Sequence, residues 1–135
     1  MVDAGEVVES EKGLVSPDLD PALLQLAKSF PEAALIQAFK ELEALILQIR
    51  DRIPDARPHR SLHEVLKALE KRGLISSSAV ALFQRLREAR NAAAHGKGDD
   101  EVSPGEAVDL IKQIKLLQEV LRPTLDQLPP KAVTT

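Results

Sequence analysis

Apolar residues follow a helical spacing after Pro31, and this spacing constrains the fold more than any other feature of the sequence. The intervals alternate between four and three residues, and the members are Leu35, Phe39, Leu42, Ile46, Ile49 and Ile53. This pattern places them on one face of an α-helix that packs against other helices. Charged residues, among them Glu43, occupy the other faces. We therefore predict a long core helix, to which we assign no chemistry.

Helix-start and helix-stop signals divide the rest of the chain into further helices. Two capping boxes, Ser61–Glu64 and Ser103–Glu106, each place a serine at the N-cap and a glutamate three residues later. Asp20 precedes a proline that suits the first helical position. Gly73 suits the left-handed residue just past a helix end. The predicted order is a short helix, the long helix, a capped helix, a helix that ends near His95, and a capped final helix.

These helices and the short loops between them predict an all-α fold, an up-down helical bundle of about four to five helices. The bundle is expected to span residues 20–123, because Pro123 follows the last residues of the apolar period. Residues 1–19 are acidic and lack an apolar period, so we predict a mobile acidic N-terminal tail. Residues 124–135 are predicted to be a flexible C-terminal tail.

Composition excludes several classes of protein. A chain of 135 residues suits one domain, and the absence of cysteine excludes disulfides and thiolate metal sites. The formal charge of −3 argues against a protein that coats nucleic acid through bulk charge. Three phenylalanines, without tryptophan or tyrosine, argue against a base-stacking platform. The sequence lacks the pattern of a signal peptide or a membrane helix, so a cytoplasmic protein with no membrane association is expected.

The segment from Arg90 onward is the candidate functional motif, Arg-Asn-Ala-Ala-Ala-His-Gly. Arg90 offers a permanently charged planar group that suits phosphate oxygens, and His95 can exchange a proton near neutral pH. Asn91 can orient the arginine or donate to a phosphate. Arg87 and Lys97 lie on either side of the motif helix end and are predicted to bind substrate. No cofactor is expected, and no metal, because the nearby acidic residues lack the spacing of a calcium loop.

Arg90 and His95 point about 140° apart on a regular helix, at about 100° per residue. Two arrangements would bring them together: the helix loosens near Gly96, or a two-fold dimer brings both copies of the motif into one cleft. A purely structural interpretation also stays open. In it, Arg90 pairs with Glu88, Asp99 or an acidic residue of another helix. His95 then caps the helix, since a cationic side chain suits the last turn.

The Arg-x4-His motif formed by Arg90 and His95, with Asn91 after the arginine, resembles the motif of the HEPN superfamily (higher eukaryotes and prokaryotes nucleotide-binding domain). The chain is most similar to a bacterial branch of that superfamily. There, a proline-led long helix with an internal acidic residue precedes the motif helix, and the matching residues here run from Pro31 to Glu43. The capped helix that follows Ser103 is also similar. The resemblance covers roughly residues 30–122.

The resemblance implies a HEPN-like helical domain that works as a metal-independent RNA endonuclease in a toxin or phage-defence role. It further implies a homodimer, an RNA substrate, and an antitoxin or other neutralising protein as partner. His95 would act as general base or acid, and Arg90 would stabilise charge on the phosphate. The alternative is a non-catalytic HEPN-like dimerisation or nucleotide- or RNA-binding module. The low content of basic and aromatic residues favours this alternative.

Overall fold

Five α-helices make up the described part of the chain, a computed structural model that covers residues 19–53, 61–95 and 102–129. They are α1 (Pro21–Ser29), α2 (Pro31–Arg52), α3 (Leu62–Lys71), α4 (Ser77–His95) and α5 (Pro104–Gln127). No strand occurs within these ranges. The helices pack around one hydrophobic core. The prediction of an all-α bundle of about four to five helices is therefore confirmed.

Helix α2 lies at the centre of the bundle and contacts each of the other four helices. Every residue of its predicted apolar face is buried, from Leu35 to Ile53. Ala34, Ala38 and Leu45 are buried as well, so the buried surface is wider than a single stripe. The reason is that α2 has neighbours on several sides, whereas a single stripe is enough for one partner helix.

The predicted N-cap hydrogen bonds form at both capping boxes. The Ser61 hydroxyl accepts from the Glu64 amide at 3.1 Å, and the Ser103 hydroxyl accepts from the Glu106 amide at 3.2 Å. Gly73 has a positive φ of 74° directly after α3, and the next amide returns to the Leu69 carbonyl at 3.0 Å. Asp20 occupies the N-cap position of α1, but its side chain makes no capping hydrogen bond.

Helices α2 and α5 run in the same direction, a departure from strict up-down order. Glu41 pairs with Lys115 at 2.6 Å, and farther along both helices the Arg52 guanidinium donates to the Leu125 carbonyl at 2.8 Å. Residue numbers therefore increase in the same direction along both helices, so α2 and α5 are parallel. The chain does reverse between α3 and α4, where a short turn lets the side chains of His63 and Gln84 meet.

The C-terminal boundary predicted at residue 123 is wrong. Helix α5 continues through Pro123 to Gln127. Proline removes one helical hydrogen bond, but the residues after it are anchored: Thr124 and Leu128 are buried, and the Thr124 hydroxyl donates to the Leu121 carbonyl at 2.6 Å. Burial therefore offsets the lost backbone bond. The predicted N-terminal tail lies, up to residue 18, outside the described residues, as does the chain beyond residue 129.

Replacing Gly73 with alanine should destabilise the protein by about 1–2 kcal/mol, because a residue with a β-carbon is strained in the left-handed region. The space around Gly73 is open, so the backbone conformation alone produces the effect. Urea unfolding followed by circular dichroism measures it. Gly105→Ala is the matched control, since Gly105 lies in the first turn of α5 with open space and no positive φ. Equal destabilisation by both variants would contradict this account.

Candidate functional site

Arg90 lies on the side of α4 that faces α2, with 30% of its side chain exposed. Its guanidinium carbon is 5.1 Å from the centre of the Phe39 ring. Its Nη2 atom is 3.7 Å from the Glu43 carboxylate, one helical turn farther along α2. A cation over an aromatic face is attracted by the ring quadrupole. Arg90 therefore lies at the edge of the buried face of α4.

Two stacked phenylalanine rings form the floor of the site. Phe39 of α2 and Phe83 of α4 lie 5.7 Å apart between ring centres, with 28° between the ring planes, and both are fully buried. Arg87 lies over the Phe83 ring at 6.0 Å, just as Arg90 lies over Phe39. Two guanidinium groups therefore stand beside one aromatic pair. Because the pair is packed in the core, it fixes where both cations can lie.

The guanidinium of Arg90 is not fully hydrogen-bonded. Its separation from Glu43, 3.7 Å, is too long for a hydrogen bond and leaves a loose ion pair. The Nε atom is buried and has no hydrogen-bond partner among the described residues. Arginine carries five N–H donors, and buried donors are almost always paired in native proteins. Arg90 therefore retains donor capacity that an anion or a second chain can use.

Asn91 and His95 are exposed on the last turns of α4. The helix stays regular through His95, so the described part of the chain does not loosen between the two motif residues. Arg90 faces α2 while His95 faces solvent, about 140° away at about 100° per residue. One chain therefore does not bring this arginine and this histidine together. Lys97, the remaining predicted substrate-binding residue, lies outside the described residues.

Glu43 is the site residue that the sequence prediction missed. We expected it on a face away from the core, but it is half-buried against Arg90. Its position four residues after Phe39 was the available signal, because residues four apart lie side by side on a helix. The open structural alternative for Arg90, an ion pair with an acidic residue of another helix, is thereby confirmed. Spacing on α2 could not show that α4 brings a cation to that position.

His63 of α3 contacts the motif helix, although it lies outside the motif. Its side chain is half-buried, and its Nδ1 atom lies 2.6 Å from the Gln84 amide nitrogen of α4. This contact joins α3 to α4. It supports the packing of the motif helix, and it places a second histidine away from Arg90 as an internal reference for experiments on His95.

The described residues offer no metal site, since no three histidine or carboxylate side chains come together there. Within the described ranges, none of the helices is both long and apolar enough to span a membrane. Three concavities lie on the opposite side of α2, where Lys115 of α5 lines each of them. The motif residues do not line these three.

Comparison with known proteins places the fold in a family. Residues 22–134 match DUF4145, which is described as a domain of unknown function. The chain belongs to the DUF4145 family. The match begins within α1 and runs through all the other helices, so the family domain includes both the Arg90 site and the extension of α5 beyond Pro123. No curated protein and no solved structure matches the chain.

Arg90 and Glu43 should show a weak coupling free energy, below about 1 kcal/mol, because their ion pair is long and partly exposed. Single and double alanine variants of the two residues, unfolded in urea, give this value as a double-mutant cycle. The shorter pair Lys115–Glu41 provides the matched reference cycle. A coupling of Arg90 with Glu43 well above that of the reference pair would show that Glu43 saturates the guanidinium.

Proposed function

We propose that this DUF4145 protein is a metal-independent RNA endonuclease of HEPN type that acts as a homodimer. One observation carries the proposal: a half-buried arginine, whose Nε has no hydrogen-bond partner among the described residues, lies directly before an exposed asparagine and five residues before an exposed histidine on the same helix. The arginine is suited to bind a phosphate, and the histidine is suited to transfer a proton. The resemblance of Arg90, Asn91 and His95 to the HEPN motif supports the same assignment.

A dimer supplies what one chain lacks. Arg90 and His95 of one chain face different directions, so a shared cleft needs a second copy across a two-fold axis. The exposed end of α4 is available for such a contact, since Asn91, Ala92 and Ala94 are exposed there. Small alanine side chains let two helices approach closely. In this arrangement the arginine of one chain and the histidine of its partner act on one phosphate.

The proposed reaction is an attack by the ribose 2′-hydroxyl on the adjacent 3′-phosphate. His95 accepts the hydroxyl proton in one role, or donates a proton to the leaving 5′-oxygen in the other. Arg90 stabilises the charge that accumulates on the phosphate oxygens, with Asn91 as an additional donor and Arg87 beside it. The new P–O2′ bond forms as the P–O5′ bond breaks. The products are a 2′,3′-cyclic phosphate and a 5′-hydroxyl, and the chemistry needs no change of oxidation state.

A non-catalytic dimerisation or nucleotide- or RNA-binding module is the second candidate. The observation that favours it is the contact between Glu43 and Arg90, because a carboxylate beside the arginine offsets the charge a phosphate needs. In that case the motif binds an anion weakly or only connects two chains. The nuclease proposal also includes a toxin or phage-defence role, a neutralising protein partner and a cytoplasmic location. Absence of nuclease activity would remove the basis for all three.

Purified protein should cleave mixed cellular RNA in excess EDTA and leave 2′,3′-cyclic phosphate ends. His95→Ala should lower the cleavage rate by about 10²–10⁴-fold, because it removes the proton-transfer group. His63→Ala is the matched control, a histidine variant outside the motif that should retain cleavage once circular dichroism shows it folded. Unchanged cleavage by His95→Ala would contradict the assignment. Intact RNA with the wild-type protein would favour the binding module.

Mixing two inactive variants tests the shared cleft directly. If Arg90 of one chain works with His95 of the other, a mixture of Arg90→Ala and His95→Ala protein should recover roughly a quarter of wild-type cleavage through heterodimers with one intact site. His95→Ala mixed with the Arg90→Ala/His95→Ala double variant is the control, because no chain then carries an intact His95 and no recovery is expected. A strictly monomeric mass at micromolar concentration, or no recovery of cleavage on mixing, would contradict the proposal of a dimeric site.

A further inference from the structure

Helix α2 is buried on several sides, yet one stripe along its length stays exposed. The stripe follows spacings of four and three residues, which is the repeat of a helix face that packs against another helix. Its members are Ala33, Gln37, Lys40, Ala44, Leu47 and Asp51. We call this surface the exposed stripe of α2. The central helix of the bundle therefore keeps a face with the spacing of a helix contact, although no other helix of the described chain covers it.

The middle of the stripe is apolar, and charged residues flank it. Leu47 is 39% exposed and is one of two large apolar side chains that are exposed in the described part of the chain. Ala44, about one turn before it, is exposed as well. Lys40 precedes this pair and Asp51 follows it, and both are exposed. An apolar centre with a polar rim is the usual composition of a protein contact surface.

The order of the charges selects one arrangement of two such stripes. If two copies of α2 run antiparallel about a two-fold axis midway between Lys40 and Asp51, each Lys40 faces Asp51 of the second copy. In the same register, Ala44 faces Leu47 of the second copy, so a small side chain lies opposite a large one. A parallel arrangement places Lys40 opposite Lys40 and Asp51 opposite Asp51, and like charges repel. Charge and side-chain size therefore favour the same antiparallel register.

A shift of one helix by seven residues removes this match. Leu47 then faces a polar side chain of the second copy, Gln37 for one direction of the shift and Asp51 for the other. Lys40 also loses its carboxylate, and it forms no ion pair with the described residues of its own chain. Asp51 already has an interaction within its chain, but a carboxylate has two oxygens and can accept from a further donor.

This antiparallel arrangement brings the two candidate sites to the same side of the dimer. Glu43, which contacts Arg90, lies one turn before Leu47 and flanks the stripe on the side of α4. Glu41 flanks the opposite side, at the groove between α2 and α5, the α2–α5 groove. A two-fold axis between the antiparallel helices, perpendicular to both, keeps equivalent flanks on one side. Both Arg90 sites and both α4 helices therefore lie on that side.

We propose that the exposed stripe of α2 binds the same stripe of a second copy of this chain, antiparallel, with Lys40 facing Asp51 of that copy. The occupant is a second copy because the stripe is complementary to itself, which a two-fold contact requires. The inference rests on the homodimer of the proposed function and names its contact surface. It does not depend on cleavage of RNA.

Exchange of the two charges tests this register. Lys40→Asp alone or Asp51→Lys alone places like charges opposite each other at both symmetric positions. Each variant should raise the dissociation constant of the dimer by about tenfold, measured by sedimentation equilibrium. An equimolar mixture of the two variants should form dimers as tightly as the wild type, because the heterodimer has opposite charges at both positions. Circular dichroism checks that each variant is folded.

Asp126→Lys is the matched control, with the same change of charge at an exposed position in the last turn of α5. It should leave the dissociation constant unchanged. Equal weakening by this control, unchanged association of the two single variants, or no recovery in their mixture would overturn the register. A monomeric wild-type protein at micromolar concentration would overturn the contact itself. A dimer that responds to the exchange of charges but leaves RNA intact would support this contact and contradict only the nuclease proposal.

Discussion

Burial of α2 on several sides is the constraint on which the rest of this structure depends. The helix contacts all four others, and its apolar residues from Leu35 to Ile53 form the centre of the core. Hydrophobic burial of this extent contributes most of the favourable free energy of folding. Helices α4 and α5 both pack against α2, so their side chains meet those of α2 along its length. The candidate site is one consequence, because it lies at the edge of the contact between α2 and α4.

The Arg90 site shows how a core contact positions a cationic side chain. Stacking of Phe39 on Phe83 belongs to the packing of α2 against α4, yet it also supplies the aromatic face beneath Arg90. A buried donor without a partner costs about 1–3 kcal/mol, so the unpartnered Nε is a penalty that the fold tolerates. Buried donors without a partner are rare in native proteins, and the anion proposed above would supply the missing acceptor. The loose contact with Glu43 holds the guanidinium in place while leaving its donors available.

Helix α2 presents acidic residues on two opposite sides. Glu41 and Glu43 are two positions apart, which separates them by about 200° on a helix. Glu43 faces Arg90 of α4, and Glu41 faces Lys115 of α5. The motif site and the α2–α5 groove therefore lie on different sides of the bundle.

The sequence by itself determined the local structure of this protein, whereas the tertiary structure decided which side chains meet. The apolar period, the serines at both capping boxes and Gly73 act within one or two helical turns, so their effects could be predicted without the fold. The extension of α5 past Pro123 could not, because it depends on burial of Thr124 and Leu128 against other helices. The contact of Glu43 with Arg90 could not be predicted either, because the spacing of residues on α2 does not show which side chain of α4 lies beside Glu43. The separation of Arg90 from His95 followed from helix geometry alone. The partner of Arg90 depended on the packing of two helices that are distant in sequence.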